Sequence, residues 1–272
     1  MTAQSESSRE PAIRAFAIAL GAFRDKAGMS KKELAEKLGY TPAYVSQIEA
    51  AKNVPSAKFA EDLNTLFGTE AFAGLWQNIV DARSSALLPP GFADYVEREA
   101  CASLIYTFEF SVIKGIFQTH DYAREVLQSG RTMEETEQLV SKRMERKSVI
   151  SREGAPQIVA VFDEVAIRRV IGSREIMKAQ VGHLIEVAEM PNVLLQVVDA
   201  DQGAYPGING SFTIMEFDEA SAVVYVEGHA GGTLTDNSVA VREHRLSFNL
   251  IRAAAMPADE SLKLLRTVWE SL

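Results

Sequence analysis

The sequence predicts an α+β protein in which a helical N-terminal part precedes a part with both helices and strands. Residues 11–83 repeat apolar residues at the three- and four-residue spacing of amphipathic helices. Residues 84–91, SSALLPPG, interrupt this pattern, because the prolines lack amide donors and the glycine favours a turn. Beyond residue 92, short runs rich in β-branched and aromatic residues alternate with helical segments. We therefore expect a helical domain, a linker at 84–91, and an α+β domain over 92–272 with a small, mostly antiparallel sheet flanked by helices.

The length of the chain allows two domains, and its composition is that of a globular protein. Hydrophobic residues make up 47% and charged residues 24% of the 272 positions. No apolar run approaches the ~20 residues of a membrane span, and the N-terminus lacks the regions of a secretory signal. The single cysteine, Cys101, excludes an internal disulfide and a cysteine-based zinc site. We expect a cytoplasmic protein without membrane association, whose residues 1–10 form a disordered tail.

Five helices are predicted in the N-terminal part: 11–27, two between residues 30 and 55, 56–66 and 71–83. The middle two have clear boundaries. Ser30 and Glu33 form a capping box, and Gly39 suits the left-handed conformation that ends a helix. Thr41 is a good N-cap, and Pro42 fits the first helical position of the next helix.

The second of these two helices, residues 42–49, has an inward and an outward face. Val45 and Ile48 turn inward, and the outward positions are Ala43, Tyr44, Ser46 and Gln47. Two short helices joined by about four residues with a glycine form a helix-turn-helix. The stretch LAEKLGYTPAYVSQIEAAKNVPS resembles the Cro/repressor-like DNA-binding family, also called the xenobiotic-response-element (XRE) family.

This resemblance implies how DNA would be bound. In the family geometry, the third helix reads bases in the major groove and the second lies on the phosphate backbone. The base-reading residues would be Ala43, Tyr44 and Gln47. The phosphate contacts would be Ser30, Lys31, Thr41, Lys52 and Asn53. Gln47 suits bidentate pairing with adenine, whereas Tyr44 is also open to interpretation as a packing residue. The family often places a structural ion pair at the positions of Arg24 and Glu49.

The net charge of −9 is unevenly distributed. Residues 1–84 hold ten Lys and Arg against ten Asp and Glu, so the excess lies in the remainder. Basic residues cluster around the helix-turn-helix: Arg24, Lys26, Lys31, Lys32, Lys37, Lys52 and Lys58. A local basic face still binds phosphate, because distant charges are screened beyond about 8 Å.

In the second part, strands are predicted at 103–110, 158–162, 193–198, 211–217 and 222–227. Helices are predicted at 95–100, 119–127, 132–152, 164–171, 173–189, 237–255 and 259–272. Residues 205–210, YPGING, are expected to turn, and the glycines of 227–234, EGHAGGTL, to form a loop.

Several segments of this part resemble, in the same order, the antitoxin-like C-terminal domain of an actinobacterial regulator family. They include FADYVEREACASLIYTFEFSVIKGIFQTHDYAREVL, FDEVAIRRVIGS, PNVLLQVV, YPGINGSFTIMEF and VVYVEG. Lys114 departs from the family, which usually has a proline there. Members are commonly encoded beside a small partner protein, so the resemblance implies a protein-binding surface and no settled activity.

The sequence does not favour an enzymatic function. The sequence has no H-E-x-x-H, P-loop, G-x-S-x-G or G-x-G-x-x-G motif. Asp163 and Glu164 are expected to start a helix, and Cys101 is expected in the core rather than as a nucleophile. We expect no catalytic residue, no metal site and no cofactor.

We expect a homodimeric transcription regulator of the repressor-like class, because one helix-turn-helix reads a short half-site of a double-stranded DNA operator. The dimer interface would lie in the C-terminal domain or the linker region, and the C-terminal domain would bind a small partner protein encoded nearby. A small-molecule pocket there is the alternative, although the sequence shows no convergent polar set. The basic residues Lys142, Arg143, Arg146 and Lys147 are expected to form a solvated helix face or, as an alternative, a protein contact.

Overall fold

The structure, a computed structural model, describes residues 3–228 and 231–272, and only the backbone of 3–10 and 83–86. The chain divides into two compact units, Met1–Leu88 and Pro89–Leu272.

The first unit consists, in its described residues, of five helices in the predicted order. They are α1 (Ala3–Lys26), α2 (Lys31–Leu38), α3 (Pro42–Glu49), α4 (Ala57–Phe67) and α5 (Ala71–Ala86). Their apolar stripes meet in one core, which includes Phe16, Leu20, Leu34, Val45, Ile48, Phe59, Leu63, Phe72 and Ile79. Because α2 and α3 each bury only one face in this core, their other faces are left outside it.

Two boundaries of the first unit differ from the sequence-based expectation. Helix α1 begins at Ala3, so residues 3–10 are helical where a disordered tail was expected, and residues 1 and 2 lie outside the described part. Pro11 lies inside α1, although proline in a helix interior lacks an amide donor and its ring crowds the carbonyl four residues earlier. Helix α5 continues to Ala86, into the expected linker, because helix-breaking residues occur only from Pro89 onward.

The second unit is α+β, as predicted. Its helices are α6 (Phe92–Cys101), α7 (His120–Leu127), α8 (Met133–Arg146), α9 (Glu164–Arg168), α10 (Arg174–Ala188), α11 (Ser238–Ala254) and α12 (Ala258–Ser271). Its strands are β1 (Leu104–Glu109), β2 (Gln157–Asp163), β3 (Val193–Val198), β4 (Phe212–Glu216), β5 (Val223–Gly228) and β6 (Gly231–Thr235).

The described strands form one six-stranded mixed sheet in the order β3-β2-β1-β4-β5-β6. Strand β2 pairs in parallel with β1 and with β3, and the helices between these strands supply the crossovers that parallel pairing needs. The pairs β1–β4, β4–β5 and β5–β6 are antiparallel. Helices cover both faces, with α10 and α12 contributing to one apolar cluster and α11 to the other.

Strand β6 lies where a glycine loop over 227–234 was expected. Glycine has low strand propensity, but pairing with β5 supplies the hydrogen bonds and overrides it. A glycine is needed at position 232 because the β6 backbone there lies close to the Tyr225 side chain. A Cβ atom at this position would lie 1.9 Å from the Tyr225 hydroxyl oxygen. His229 and Ala230 are outside the described residues.

Two other positions correct or refine the expectations. Cys101 is exposed at the end of α6 instead of lying in the core, because the chain turns into β1 at the buried Ala102. Lys114 has φ −55° and ψ 139°, a conformation that proline also adopts, so the local turn does not depend on the family's proline. The Lys114 side chain is buried.

Candidate DNA interface

Caps fix the turn between α2 and α3. Gly39 ends α2 with φ 74°, a left-handed conformation that favours glycine. The amide of Tyr40 then donates to the carbonyl of Ala35 at 2.9 Å. Thr41 is the N-cap of α3, and its Oγ1 accepts a hydrogen bond from the Tyr44 amide at 3.2 Å. The relative placement of the two helices therefore follows from local hydrogen bonds that the sequence specifies.

Helix α3 presents two of the predicted base-reading residues on one exposed face. Val45 and Ile48 are buried in the core of the first unit, whereas Ala43 and Gln47 are exposed. Positions four residues apart on a helix are neighbours on its surface. The side-chain amide of Gln47 has no hydrogen-bond partner in the described part of the chain. It offers a donor and an acceptor together, the pair that adenine N7 and N6 require.

The third predicted base-reading residue, Tyr44, takes part in packing. Its ring stacks on Tyr40 with centroids 5.3 Å apart and contacts Phe59 edge to face at 5.1 Å. Its hydroxyl oxygen accepts a hydrogen bond from the Ser56 amide at 3.3 Å. These contacts agree with the packing interpretation of Tyr44, and a base contact by this residue stays a prediction.

Helix α3 ends in a Schellman motif with an unusual residue. The Lys52 amide donates to the Gln47 carbonyl at 2.9 Å, and the Ala51 amide donates to Ile48 at 3.0 Å. Ala51 has φ 54°, which glycine usually supplies at this position. The motif places Lys52 and then Asn53 on the surface just beyond α3. Lys52 has no ion-pair partner among the described residues, and Oδ1 of Asn53 accepts from the amide of the next residue at 2.8 Å, which leaves the Asn53 side-chain NH2 group for a phosphate.

Arg24, Glu49 and Lys31 form a charged cluster that ties α1, α2 and α3 together. The Nε atom of Arg24 lies 2.5 Å from Oε1 of Glu49, and Nζ of Lys31 lies 3.1 Å from Oε2. Arg24 also donates to the carbonyl of Met29 at 2.7 Å. Burial raises the pKa of Glu49, but hydrogen bonds from Arg24 and Lys31 outweigh it, so the pKa lies below its ordinary value. Lys31 therefore already neutralises a carboxylate, so its electrostatic contribution to a phosphate contact would be smaller.

Ser30 is also engaged within the fold. Its Oγ accepts from the Glu33 amide at 3.2 Å, and its own amide donates to Oε2 of Glu33 at 2.7 Å. The backbone hydrogen bond from Ser30 lowers the pKa of Glu33, so this carboxylate is charged at the start of α2. A phosphate near Ser30 would have to displace or pass this carboxylate. Of the five predicted phosphate contacts, Lys52 is the least engaged, and Asn53 keeps its side-chain NH2 donors although its Oδ1 is engaged.

Sequence reasoning did not single out Tyr40. Its ring contacts the rings of Tyr44 and Phe59, and its hydroxyl donates to Oδ2 of Asp62 at 2.8 Å. The four-residue spacing of Tyr40 and Tyr44 was the available signal. It is an indirect one, because Tyr40 lies in the turn and not in a helix.

In the second unit, the acidic pair at the end of β2 has a structural role. Oδ1 of Asp163 accepts from the Val165 amide at 2.8 Å, which caps α9. Glu164 accepts from the Ala200 amide at 2.9 Å. Among the described residues, no group of three or more His, Cys, Asp and Glu could hold a metal ion. A search of the described helices for a membrane-spanning segment finds none.

Two family models match the chain. One, described as a helix-turn-helix, matches residues 20–72. The other, described as a domain of unknown function (DUF5753), matches residues 92–267. No curated protein and no solved structure matches the chain.

Proposed function

The chain belongs to the DUF5753 family, and we propose that it is a sequence-specific transcription regulator that acts as a homodimer and responds to a small partner protein. The helix-turn-helix makes it a DNA-binding regulator of the XRE type. Beyond DNA binding, the proposal covers the residues that contact the operator, the formation of a homodimer and the binding of a partner protein.

The exposed face of α3 carries the proposal of sequence-specific binding. Ala43 and Gln47 lie one helical turn apart on that face, and the unpaired Lys52 follows just beyond the helix. Such an arrangement suits base contacts from α3, with Lys52 and Asn53 fixing the register on phosphates. We assign Ser30, Lys31 and Thr41 supporting roles, because each is already engaged in the fold.

The test is a genome-wide DNA pull-down with the purified protein and two glutamine variants. Gln47→Ala should abolish enrichment of a short two-fold-symmetric site. Gln77→Ala, at an exposed position of α5 in the same unit, should leave enrichment unchanged. Equal enrichment by both variants would remove Gln47 from the reading residues. Absence of any enriched site with the unaltered protein would contradict independent operator binding.

An exposed apolar stripe on α11 supports dimerisation through the second unit. Val239, Leu246 and Leu250 are large, exposed and spaced seven and four residues apart. Two copies of such a stripe would form an isologous contact. Light scattering should show a dimer that Leu246→Glu dissociates, whereas Met133→Glu, at another exposed apolar position, should not. A monomeric unaltered protein would refute this part of the proposal.

The partner protein is supported by the antitoxin-like resemblance, and copurification from the native cell tests it. A ligand-sensing regulator is the second candidate. One specific observation favours it, a cavity lined by polar side chains in the second unit.

A further inference from the structure

Two of the four basic residues that were expected on a solvated helix face, Arg143 and Arg146, face the interior of the second unit instead. Arg143 and Arg146, three residues apart, both line a cavity of about 90 Å³. Nε of Arg146 lies 2.6 Å from Oε2 of the fully buried Glu99. Nη1 of Arg143 donates to Oε1 of Gln118 at 2.8 Å. The spacing that predicted an outer face instead directs two guanidinium groups inward.

Strand alternation brings the other polar groups to the same cavity. Glu109 in β1, Thr213 in β4 and Tyr225 in β5 line it together with Lys114. The Lys114 ammonium lies 3.4 Å from Oε1 of Glu109 and donates to Oγ1 of Thr213 at 2.8 Å. These residues come from segments about 100 positions apart, so no local sequence pattern could reveal them.

The charges of the cavity leave one cation without a carboxylate. Arg146 is paired with Glu99, and Lys114 with Glu109. Arg143 has no ion-pair partner within the described residues, and Glu227 contributes only from an exposed position at the rim. Burial, together with the neighbouring Arg146 guanidinium, lowers the pKa of Arg143 to about 10. The charged form of Arg143 is therefore less favoured here than in water, as expected for a buried cation that lacks an anion.

Tyr225 supplies an unused donor in the same cavity. Its side chain is 4% exposed, and its hydroxyl has no hydrogen-bond partner among the described residues. Burial raises the pKa of this hydroxyl to about 12, so at neutral pH it keeps its proton. The ring is held by stacking on Tyr95, with centroids 4.3 Å apart. Buried polar groups are seldom left unpaired, and a bound group would satisfy this one.

Gly115 allows the two guanidinium groups to lie close to the backbone. A Cβ atom at this position would be 3.2 Å from Nη2 of Arg146 and 3.5 Å from Nε of Arg143. The Arg146 guanidinium also lies over the Phe92 ring, 5.1 Å from its centroid. The cations are thus oriented by packing and not only by their charges.

We propose that this cavity binds a small oxyanion, a carboxylate or phosphate group, held by the Arg143 guanidinium and the Tyr225 hydroxyl. A planar guanidinium matches the two oxygens of either group bidentately. The cavity exceeds by several times the ~15 Å³ that one water requires on the same measure, so it has room for such a group. The inference deepens the ligand-sensing form of the proposed function, but the binding itself does not depend on DNA recognition.

Titration calorimetry of the full chain at constant ionic strength tests the proposal. The probes are inorganic phosphate, acetate and benzoate, so the result also separates phosphate from carboxylate ligands. Binding of any of the three at one site per chain is the expected result. No binding of any probe at millimolar concentrations would overturn the proposal.

Two variants with matched controls locate the site. Tyr225→Phe removes a hydroxyl that makes no hydrogen bond, so folding should persist while binding weakens roughly tenfold or more. Tyr106→Phe, on the opposite face of the sheet, should bind normally. Arg143→Gln should weaken binding at least tenfold, and Lys142→Gln, at the neighbouring position outside the cavity lining, should not. Unchanged binding in both Tyr225→Phe and Arg143→Gln would overturn the proposal.

The DNA pull-down keeps the two proposals distinct. A protein that binds oxyanion but no operator would refute sequence-specific binding and leave the cavity site intact. A protein that binds its operator but no oxyanion would refute only the cavity site.

Discussion

The cations of the helix-turn-helix and those of the cavity differ in what surrounds them. In the first unit, Arg24 and Lys31 share Glu49, and the side chains of Arg24, Lys31 and Glu49 are 13%, 43% and 8% exposed. In the second unit, the side chains of Lys114 and Glu109 are 6% and 9% exposed. Glu49 keeps one cation when the other is lost, whereas Glu109 has Lys114 as its paired cation among the described residues. The same kind of ion pair should therefore contribute differently to stability in the two units.

The largest effect is expected for Lys114→Met. This change leaves the buried Glu109 carboxylate without its cation, which should lower the free energy of unfolding by about 3 kcal/mol at neutral pH. Urea denaturation measures the loss. The double variant Lys114→Met with Glu109→Gln should recover much of it, because neither charge then remains. A loss in the double variant as large as that in the single one would show that packing by the lysine stem matters more than charge.

The same variant has an expected pH dependence. Burial raises the pKa of Glu109, and the Lys114 ammonium opposes that rise. Without Lys114, the pKa of Glu109 rises further above its unfolded value. A carboxyl with a raised folded pKa favours folding below the unfolded pKa and loses that contribution as the pH rises through the folded pKa. The loss caused by Lys114→Met should therefore be smaller near pH ~5 than near pH ~8, and an equal loss at both would contradict the pKa direction.

Arg24→Ala should lower the free energy of unfolding by about 2 kcal/mol, because it removes charged hydrogen bonds to Glu49 and to the Met29 carbonyl. Since the pKa of Glu49 is lowered in the fold, this contribution is present above the unfolded pKa and is lost as the pH falls through the folded value. Denaturation of the unaltered and variant proteins at neutral and acid pH tests this. Lys32→Met is the control, because Lys32 is exposed and lies 3.9 Å from Glu36. A control loss as large as that of Arg24→Ala would contradict the special role of Arg24.

A smaller effect of opposite sign is expected for Ala51→Gly. The left-handed φ of 54° destabilises an alanine by about 1 kcal/mol, whereas glycine adopts it freely. The free energy of unfolding should therefore increase by about 0.5–1 kcal/mol. Ala50→Gly is the matched control. Ala50 has φ −84°, so glycine there only adds unfolded-state entropy and should destabilise. Destabilisation by Ala51→Gly would contradict the strain that the backbone angle implies.

These differences also explain what the sequence could predict. Helix α2, the turn at Gly39 and helix α3 follow from neighbouring residues, so their caps, inward faces and the exposed Gln47 were predicted closely. Ala51 was not singled out, because alanine carries no signal for a left-handed backbone. Lys114 and Tyr225 line one cavity because β1 pairs with β4 and β4 with β5, and the β1–β4 pairing joins segments about 100 residues apart in sequence. Strand β6 was missed for the same reason, since its pairing with β5 overrides the low strand propensity of glycine.

The smallest expected effect is a difference between Lys31 and Lys52, two lysines that the sequence analysis assigned equally to phosphate contacts. Lys52 has no ion-pair partner in the described part of the chain, so Lys52→Ala should weaken binding to all DNA sequences and lower the salt slope by about 0.9. Lys31 lies 3.1 Å from Glu49, so Lys31→Ala should change the slope less. Filter binding at several salt concentrations measures both slopes. A larger change for Lys31 than for Lys52 would mean that DNA displaces Glu49 from Lys31, and the charged cluster would then be part of the interface and not only of the fold.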